Sequence, residues 1–252
     1  MKRRIWLFDL DNTLHDASHA AFASISEAMT GYIVQHIGLE ENDATPLRQR
    51  YWKRYGATLL GLVRHHGVGA AHFLEQTHRL PGLEERVRSS AHDRAALRRL
   101  SGHKYVLTNA PRAYARRVLG ALGLGRSFDA VIGIEDMAMF GQLRPKPDAR
   151  MLRRVAARLK VPTSRCVLVE DTLEHQKAAR GIGMQTVWMQ RYLGGRFRGH
   201  PAGRRLPGQP LGAEASAANA VARLPEVGVH PCPDPRYVCA KIKSLQALAR
   251  LR

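Results

Sequence analysis

Long apolar runs, cysteine, aromatic side chains and acidic charge are all scarce in this 252-residue chain. No apolar stretch approaches the ~18 residues needed to cross a bilayer, which excludes a membrane-spanning class. At the start, Met1-Lys2-Arg3-Arg4 precedes Ile5-Trp6-Leu7-Phe8, but Asp9 and Asp11 cut the apolar run after four residues. An export segment needs roughly 7–15, so secretion by that route is not expected. Three cysteines, Cys166, Cys232 and Cys239, form no Cys-x-x-Cys pair. They fit neither a disulfide framework nor a structural zinc site, and a reducing cytoplasm is the expected setting. The histidines are scattered, and the His-Glu-x-x-His run that a zinc protease requires does not occur.

Acidic residues number 21 against 40 basic ones, giving a net charge of +19, and only eight of the basic residues are lysine. Such a balance invites a nucleic-acid reading. Placement argues against it as the main role. Between Asp148 and Lys160, Met151, Leu152, Val155 and Leu159 recur at helical spacing while Arg150, Arg153, Arg154 and Arg158 fill the other face. After Pro111 the same split separates Tyr114, Val118, Leu119 and Leu122 from Arg112, Arg116 and Arg117. These arginines read as solvated faces of amphipathic helices. Aromatics are only 6% of the chain and do not interleave with the basic residues as a base-stacking surface needs. The positive excess favours anionic small molecules on approach.

Apolar content of 44% supports a real core. Short apolar runs at Arg4–Leu10, Lys104–Leu107, Ala130–Ile134, Cys166–Val169 and Thr186–Met189 read as buried parallel strands alternating with helices. The expected fold is α/β, a doubly wound, Rossmann-like parallel sheet, whose ligands bind at the carboxyl ends of the strands. Residues 1–15 and 91–252 form this core. About 90 residues separate Asp11 from Lys104, far beyond an ordinary connection. Helical patterns at Ala20–His36, Leu47–Tyr55, Thr58–His66 and Ala70–His78 make residues 16–90 an inserted helical cap, with His65 and His66 closing one helix ahead of Gly67. Residues 191–235 hold seven Gly and seven Pro and read as a flexible excursion, followed by an edge strand in Tyr237–Ile242 and a terminal helix.

Polar clusters fall at four strand ends or adjoining loops: Asp9-Leu10-Asp11-Asn12-Thr13, Thr108-Asn109, Arg144-Pro145-Lys146-Pro147-Asp148 and Glu170-Asp171-Thr172. Converging carboxylates repel unless a cation intervenes, and oxygen-only donors select Mg²⁺. Thr108 with the N–H groups of a helix start suits phosphate oxygens. Lys146, held between prolines, brings an aimed ammonium. These are the parts for phosphoryl transfer. Each has a bland reading too. Asp9 and Asp11 alone read equally as helix caps, Thr108-Asn109 as a helix entry, and Lys146 as a turn residue.

In this order the four clusters resemble those of the haloacid dehalogenase superfamily, specifically its phosphatases with a helical cap after the first motif, over about residues 4–190. The resemblance implies that Asp9 is the nucleophile and Asp11 the general acid and base. It implies that Thr108 and the Asn109 amide bind the phosphoryl group and that Lys146 neutralises it. Asp171 would ligate Mg²⁺ with Asp9 and the Asp11 carbonyl, Glu170 taking an outer or water-mediated position. Relatives usually carry Asn or Asp where His175 stands, a departure bearing on metal affinity and pH optimum.

The cap stretch Tyr51–Leu62, with Thr77–Pro81, resembles the pyrimidine 5′-nucleotidase branch. That implies hydrolysis of a nucleoside monophosphate such as UMP or CMP, with Tyr55, Thr58 and His15 as candidate contacts to base or ribose. The alternatives are another small phosphate ester, such as a sugar phosphate or phosphoglycolate, or a non-catalytic polyanion-binding protein on the same scaffold.

Overall fold

The sheet forms on short apolar runs, and from Ile5 to Phe8 and from Cys166 to Val169 every position is buried, so that both faces are covered. The computed structural model describes residues 4–88, 90–193 and 236–251. Its strands are β1 (Ile5–Phe8), β2 (His103–Leu107), β3 (Ala130–Ile132), the two-residue pair β4 (Ala138–Met139) and β5 (Gln142–Leu143), β6 (Cys166–Glu170), β7 (Gln185–Met189) and β8 (Ala240–Ile242). Six of them make one parallel sheet in the order β3-β2-β1-β6-β7-β8. Period-two alternation sends Trp6, Phe8, Val106, Val167, Val169 and Val187 to one face, and Ile5, Leu7, Leu107, Cys166 and Leu168 to the other. The chain builds outward from β1 to β3, then crosses back to β6 on the other side of β1. This reversal of strand order opens a crevice at the carboxyl ends of β1, β2 and β6.

The helices are α1 (Ala17–Ala20), α2 (Phe22–Ile37), α3 (Glu41–Tyr55), α4 (Thr58–His66), α5 (Ala70–Thr77), α6 (Leu83–Arg86), α7 (Ala91–Arg99), α8 (Arg112–Ala121), α9 (Ala149–Arg158) and α10 (Leu173–Gly181). One face of the sheet is covered by α7 and α8 through Leu97, Tyr114, Val118 and Leu119. The other is covered by α9 and α10 through Met151, Leu152, Val155 and Ala179. The anticipated arginine faces hold, with Met151, Leu152 and Val155 buried and Arg150, Arg153 and Arg154 exposed. Asp148 starts α9 by accepting the N–H groups of Arg150 and Met151 at 2.8 and 3.0 Å.

Between β1 and β2 the chain makes a helical insert with its own apolar cluster of Tyr32, Ile33, Leu47, Tyr51, Leu62 and Phe73. Its roots belong elsewhere. Ala20, Ala21 and Ile25 at its entry and Leu80, Leu83 and Val87 at its exit pack into the core cluster around Trp6 and Phe8. Helices α3 and α4 approach closely at Gly61, where an added Cβ would lie 2.2 Å from Cγ of Tyr51.

Several sequence expectations need correction. The first strand ends at Phe8, although the Asp9 N–H still bonds the Val169 carbonyl at 2.9 Å. The strand expected to reach Ile134 stops at Ile132, and a 3-10 turn at Ile134–Met137 then leads into the unforeseen β4–β5 hairpin. The last strand shrinks to Ala240–Ile242, and the expected terminal helix is a 3-10 segment, Leu245–Arg250, that buries Leu245 and Leu248. Most of the proposed excursion, residues 194–235, lies outside the described residues.

Candidate active site

Three strand ends and one loop deliver the polar clusters to a single crevice. Asp9 follows β1, Thr108 follows β2, Glu170 ends β6 with Asp171 beside it, and Lys146 enters from the loop between β5 and α9. Lys146 Nζ donates to Asp9 Oδ1 at 2.6 Å and to Glu170 Oε2 at 2.8 Å. All three side chains are essentially out of solvent. Asp9, Glu170 and Asp171 each offer a carboxylate oxygen within 4.8 Å of the others, a grouping unmatched among the described residues.

The charges do not balance, and the imbalance falls on Asp9. Burial raises its carboxyl well above the usual carboxylate range, and Glu170 adds to this against the pull of Lys146. Burial acts on Glu170 in the same direction, but Lys146 and His175 outweigh it and hold Glu170 well below its usual range. Lys146, which burial alone would discharge, is kept protonated by Asp9 and Glu170. The ion pair proper is therefore Lys146 with Glu170, and Asp9 feels the excess negative charge. A divalent cation relieves that excess, and three buried carboxylate donors are the hard oxygen set that Mg²⁺ takes. Glu170 is the least available of them. Its Oε1 accepts the Thr172 N–H at 3.2 Å while Oε2 holds Lys146. His175 Nδ1 stands 3.0 Å from the same Oε2 but is not aligned for a hydrogen bond.

Asp11 is not part of this carboxylate grouping. Its Oδ1 meets Tyr114 Oη at 2.9 Å and His15 Nε2 at 2.9 Å. Directly after Asp11 the backbone turns at Asn12, whose left-handed φ of 58° is one asparagine tolerates. Its side chain ties the turn to α1 by accepting the Ser18 N–H at 3.1 Å.

The Asn109 side chain holds Lys146 rather than standing free for a ligand. Its Nδ2 donates to the Lys146 carbonyl at 3.0 Å, and its Oδ1 accepts the Lys146 N–H at 2.9 Å. This reciprocal pair fixes the backbone from which the ammonium reaches Asp9. The hydroxyl of buried Thr108 accepts the Ala110 N–H at 3.0 Å, which leaves its own proton to give. His15 is fully buried and bonded to Asp11, so it cannot meet a base or ribose. Thr58 is also buried and donates to the Arg48 carbonyl, joining α4 to α3. Tyr55 Oη meets His65 Nε2 at 2.5 Å. The contacts of Thr58 and Tyr55 thus lie within the helical insert. Tyr114 was hidden from sequence reading, because a tyrosine on the apolar face of α8 looks like core.

The family model described as haloacid dehalogenase-like hydrolase matches residues 4–183. Phosphate metabolism protein 8 of Saccharomyces cerevisiae is 20% identical over 195 residues, covering 72% of this chain and 60% of the yeast protein. The chain therefore spans about 60% of the length of that relative. Among solved structures, the putative hydrolase YfnB of Bacillus subtilis, bound to magnesium, is similar at a TM-score of 0.53 and 16% identity, covering 100% and 99% of the two chains. CbbY of Rhodobacter sphaeroides, in complex with phosphate, gives a TM-score of 0.55 at 16% identity, covering 98% and 96%.

Proposed function

The chain belongs to the haloacid dehalogenase-like hydrolases, and from that premise we propose that it is a Mg²⁺-dependent phosphatase of pyrimidine nucleoside 5′-monophosphates that works through an aspartyl-phosphate. The observation that carries the chemistry is the buried triad of Asp9, Lys146 and Glu170, with Asp171 within 4.8 Å of both acids. Asp9 attacks phosphorus. Asp11 gives a proton to the leaving oxygen, then takes one from the water that hydrolyses the aspartyl-phosphate. Lys146, locked in place by Asn109, sets a positive charge where the phosphoryl oxygens gather, and the Thr108 hydroxyl donates to one of them. Asp9, Asp171 and the Asp11 carbonyl, with Glu170 behind them, would hold magnesium, which would supply neutralising charge there.

The substrate preference rests on the cap stretch Tyr51–Leu62 and its resemblance to the pyrimidine nucleotidase branch. The magnesium and phosphate bound by the two structural neighbours fit the same reading. A panel of phosphomonoesters assayed with and without EDTA tests it. UMP and CMP lead, EDTA abolishes turnover, and Asp9→Asn is inactive while melting as the wild type does. A preference for sugar phosphates or phosphoglycolate would overturn the nucleotide assignment. Turnover by Asp9→Asn would overturn the nucleophile.

A further inference from the structure

Two donors from opposite sides of the cap junction converge on one oxygen of Asp11. His15 lies on the segment that enters the cap, and Tyr114 on α8 of the core, 103 residues beyond Asp11. Both reach Oδ1 at 2.9 Å, His15 is fully buried, and Tyr114 is nearly so. The ring of His78, from the end of the cap, lies edge-on to Tyr114 at 5.6 Å between centroids, which holds the phenol in place. Burial, and after it Asp11, raise the Tyr114 hydroxyl above its ordinary range, so it stays protonated and donates. For His15, Nδ1 is buried without a hydrogen-bond partner, so Nε2 is the ring nitrogen that is tied, and the carboxylate oxygen it faces makes Nε2 the donor.

We propose that His15 and Tyr114 are positioning residues for the general acid: by occupying Oδ1 together they fix the Asp11 side chain and confine its transferable proton to Oδ2. The inference rests on the reading of Asp11 as general acid. In the first half-reaction an Asp9 oxygen forms a bond to phosphorus and the bond from phosphorus to the leaving oxygen breaks. The Oδ2 proton passes to that oxygen, releasing an alcohol and leaving Asp11 ionised. In the second, water attacks phosphorus and gives a proton back to Oδ2 as the Asp9–phosphorus bond breaks. A carboxyl free to rotate would present either oxygen, and the proton would meet the leaving group only part of the time. Held by two donors, it presents one.

Leaving groups separate this role from a merely structural one. An alkoxide must be protonated to depart, whereas p-nitrophenolate departs without help. The value of kcat/KM, which reports the first half-reaction, is measured for p-nitrophenyl phosphate and for two alkyl esters, UMP and ribose 5-phosphate. In His15→Ala and in Tyr114→Phe the alkyl-to-aryl ratio falls by about tenfold or more, part of the ~10²–10⁴ that a general acid contributes. His15→Gln, which keeps an N–H donor, recovers most of the ratio. Loss of folded protein scales both substrates alike and cancels in the ratio, so a destabilised variant still reports. An unchanged ratio in both variants of a protein whose wild type hydrolyses these esters overturns the positioning role alone. Absence of wild-type hydrolysis of every ester overturns the phosphatase reading instead.

Discussion

Lys146 and His78 show at residue scale how burial is turned to use. Removing one partner from a buried ion pair leaves an uncompensated charge, a loss of ~3–5 kcal/mol. Lys146→Met strands Glu170 and Asp9 in this way, so its melting temperature should fall by many degrees in the metal-free protein, and its phosphatase activity should vanish. A melt equal to wild type would show that the lysine is not a structural counter-charge. His78 is the opposite case, a histidine kept neutral. Burial pushes it from the ordinary value near 6.5 down to about 4. Its folded value lies below its unfolded one, so between those limits the unfolded chain binds the extra proton. The stability is complete above pH 6.5 and is lost progressively as pH falls toward 4, up to about 3 kcal/mol at the bottom. His78→Gln should therefore flatten the fall in melting temperature over pH 6.5 to 4. An equally steep fall in the variant would assign the acid sensitivity elsewhere. The acids and Lys146 are legible in sequence only as a set, because each alone reads equally as a cap or turn residue and it is their recurrence at strand ends and adjoining loops that marks them. The partners of Asp11 are not, since His15 reads as a contact to substrate and Tyr114 as a core residue.

At the scale of elements, the α3–α4 hairpin of the cap depends on close approach. With Cγ of Tyr51 only 2.2 Å from where a Cβ at Gly61 would sit, Gly61→Ala must push the two helices apart. Overpacking of this kind costs about 1–3 kcal/mol. A lowered melting temperature in Gly61→Ala is expected, and an unchanged one would mean that the hairpin seats differently. The helices of the cap read well from sequence because their apolar stripes are periodic and Gly38, Gly56 and Gly67 stop them in left-handed conformations. The β4–β5 hairpin escapes notice because two-residue strands carry no period. The roots of the insert escape too. A sequence break marks where helices start, not that Ile25 and Val87 pack under the core.

For the whole molecule, the sheet reversal at β1 and β6 brings acids 161 residues apart, Asp9 and Glu170, onto one lysine. A cation that fits between them binds the folded chain and not the unfolded one, and at a hundredfold over its Kd it adds ~2.7 kcal/mol. Mg²⁺ should accordingly raise the melting temperature of the wild type and not that of Asp171→Asn. An equal rise in both would remove Asp171 from the metal site. Among the described residues no arginine is buried, and several are paired, as Arg117 is with Glu84 and Arg112 with Asp136. No described helix is long and apolar enough to cross a membrane. The doubly wound order is legible from alternating strands and helices, whereas the meeting of distant acids becomes visible only once the strands are laid side by side. The most direct test of that meeting is chemical trapping of the aspartyl-phosphate. Enzyme turning over its best ester is quenched with borohydride, which reduces an acyl phosphate to the alcohol, and the peptide spanning β1 is sequenced by mass spectrometry. The account predicts homoserine at position 9 and aspartate at position 11; turnover with aspartate intact at position 9, or with the modification at Asp11, would contradict it.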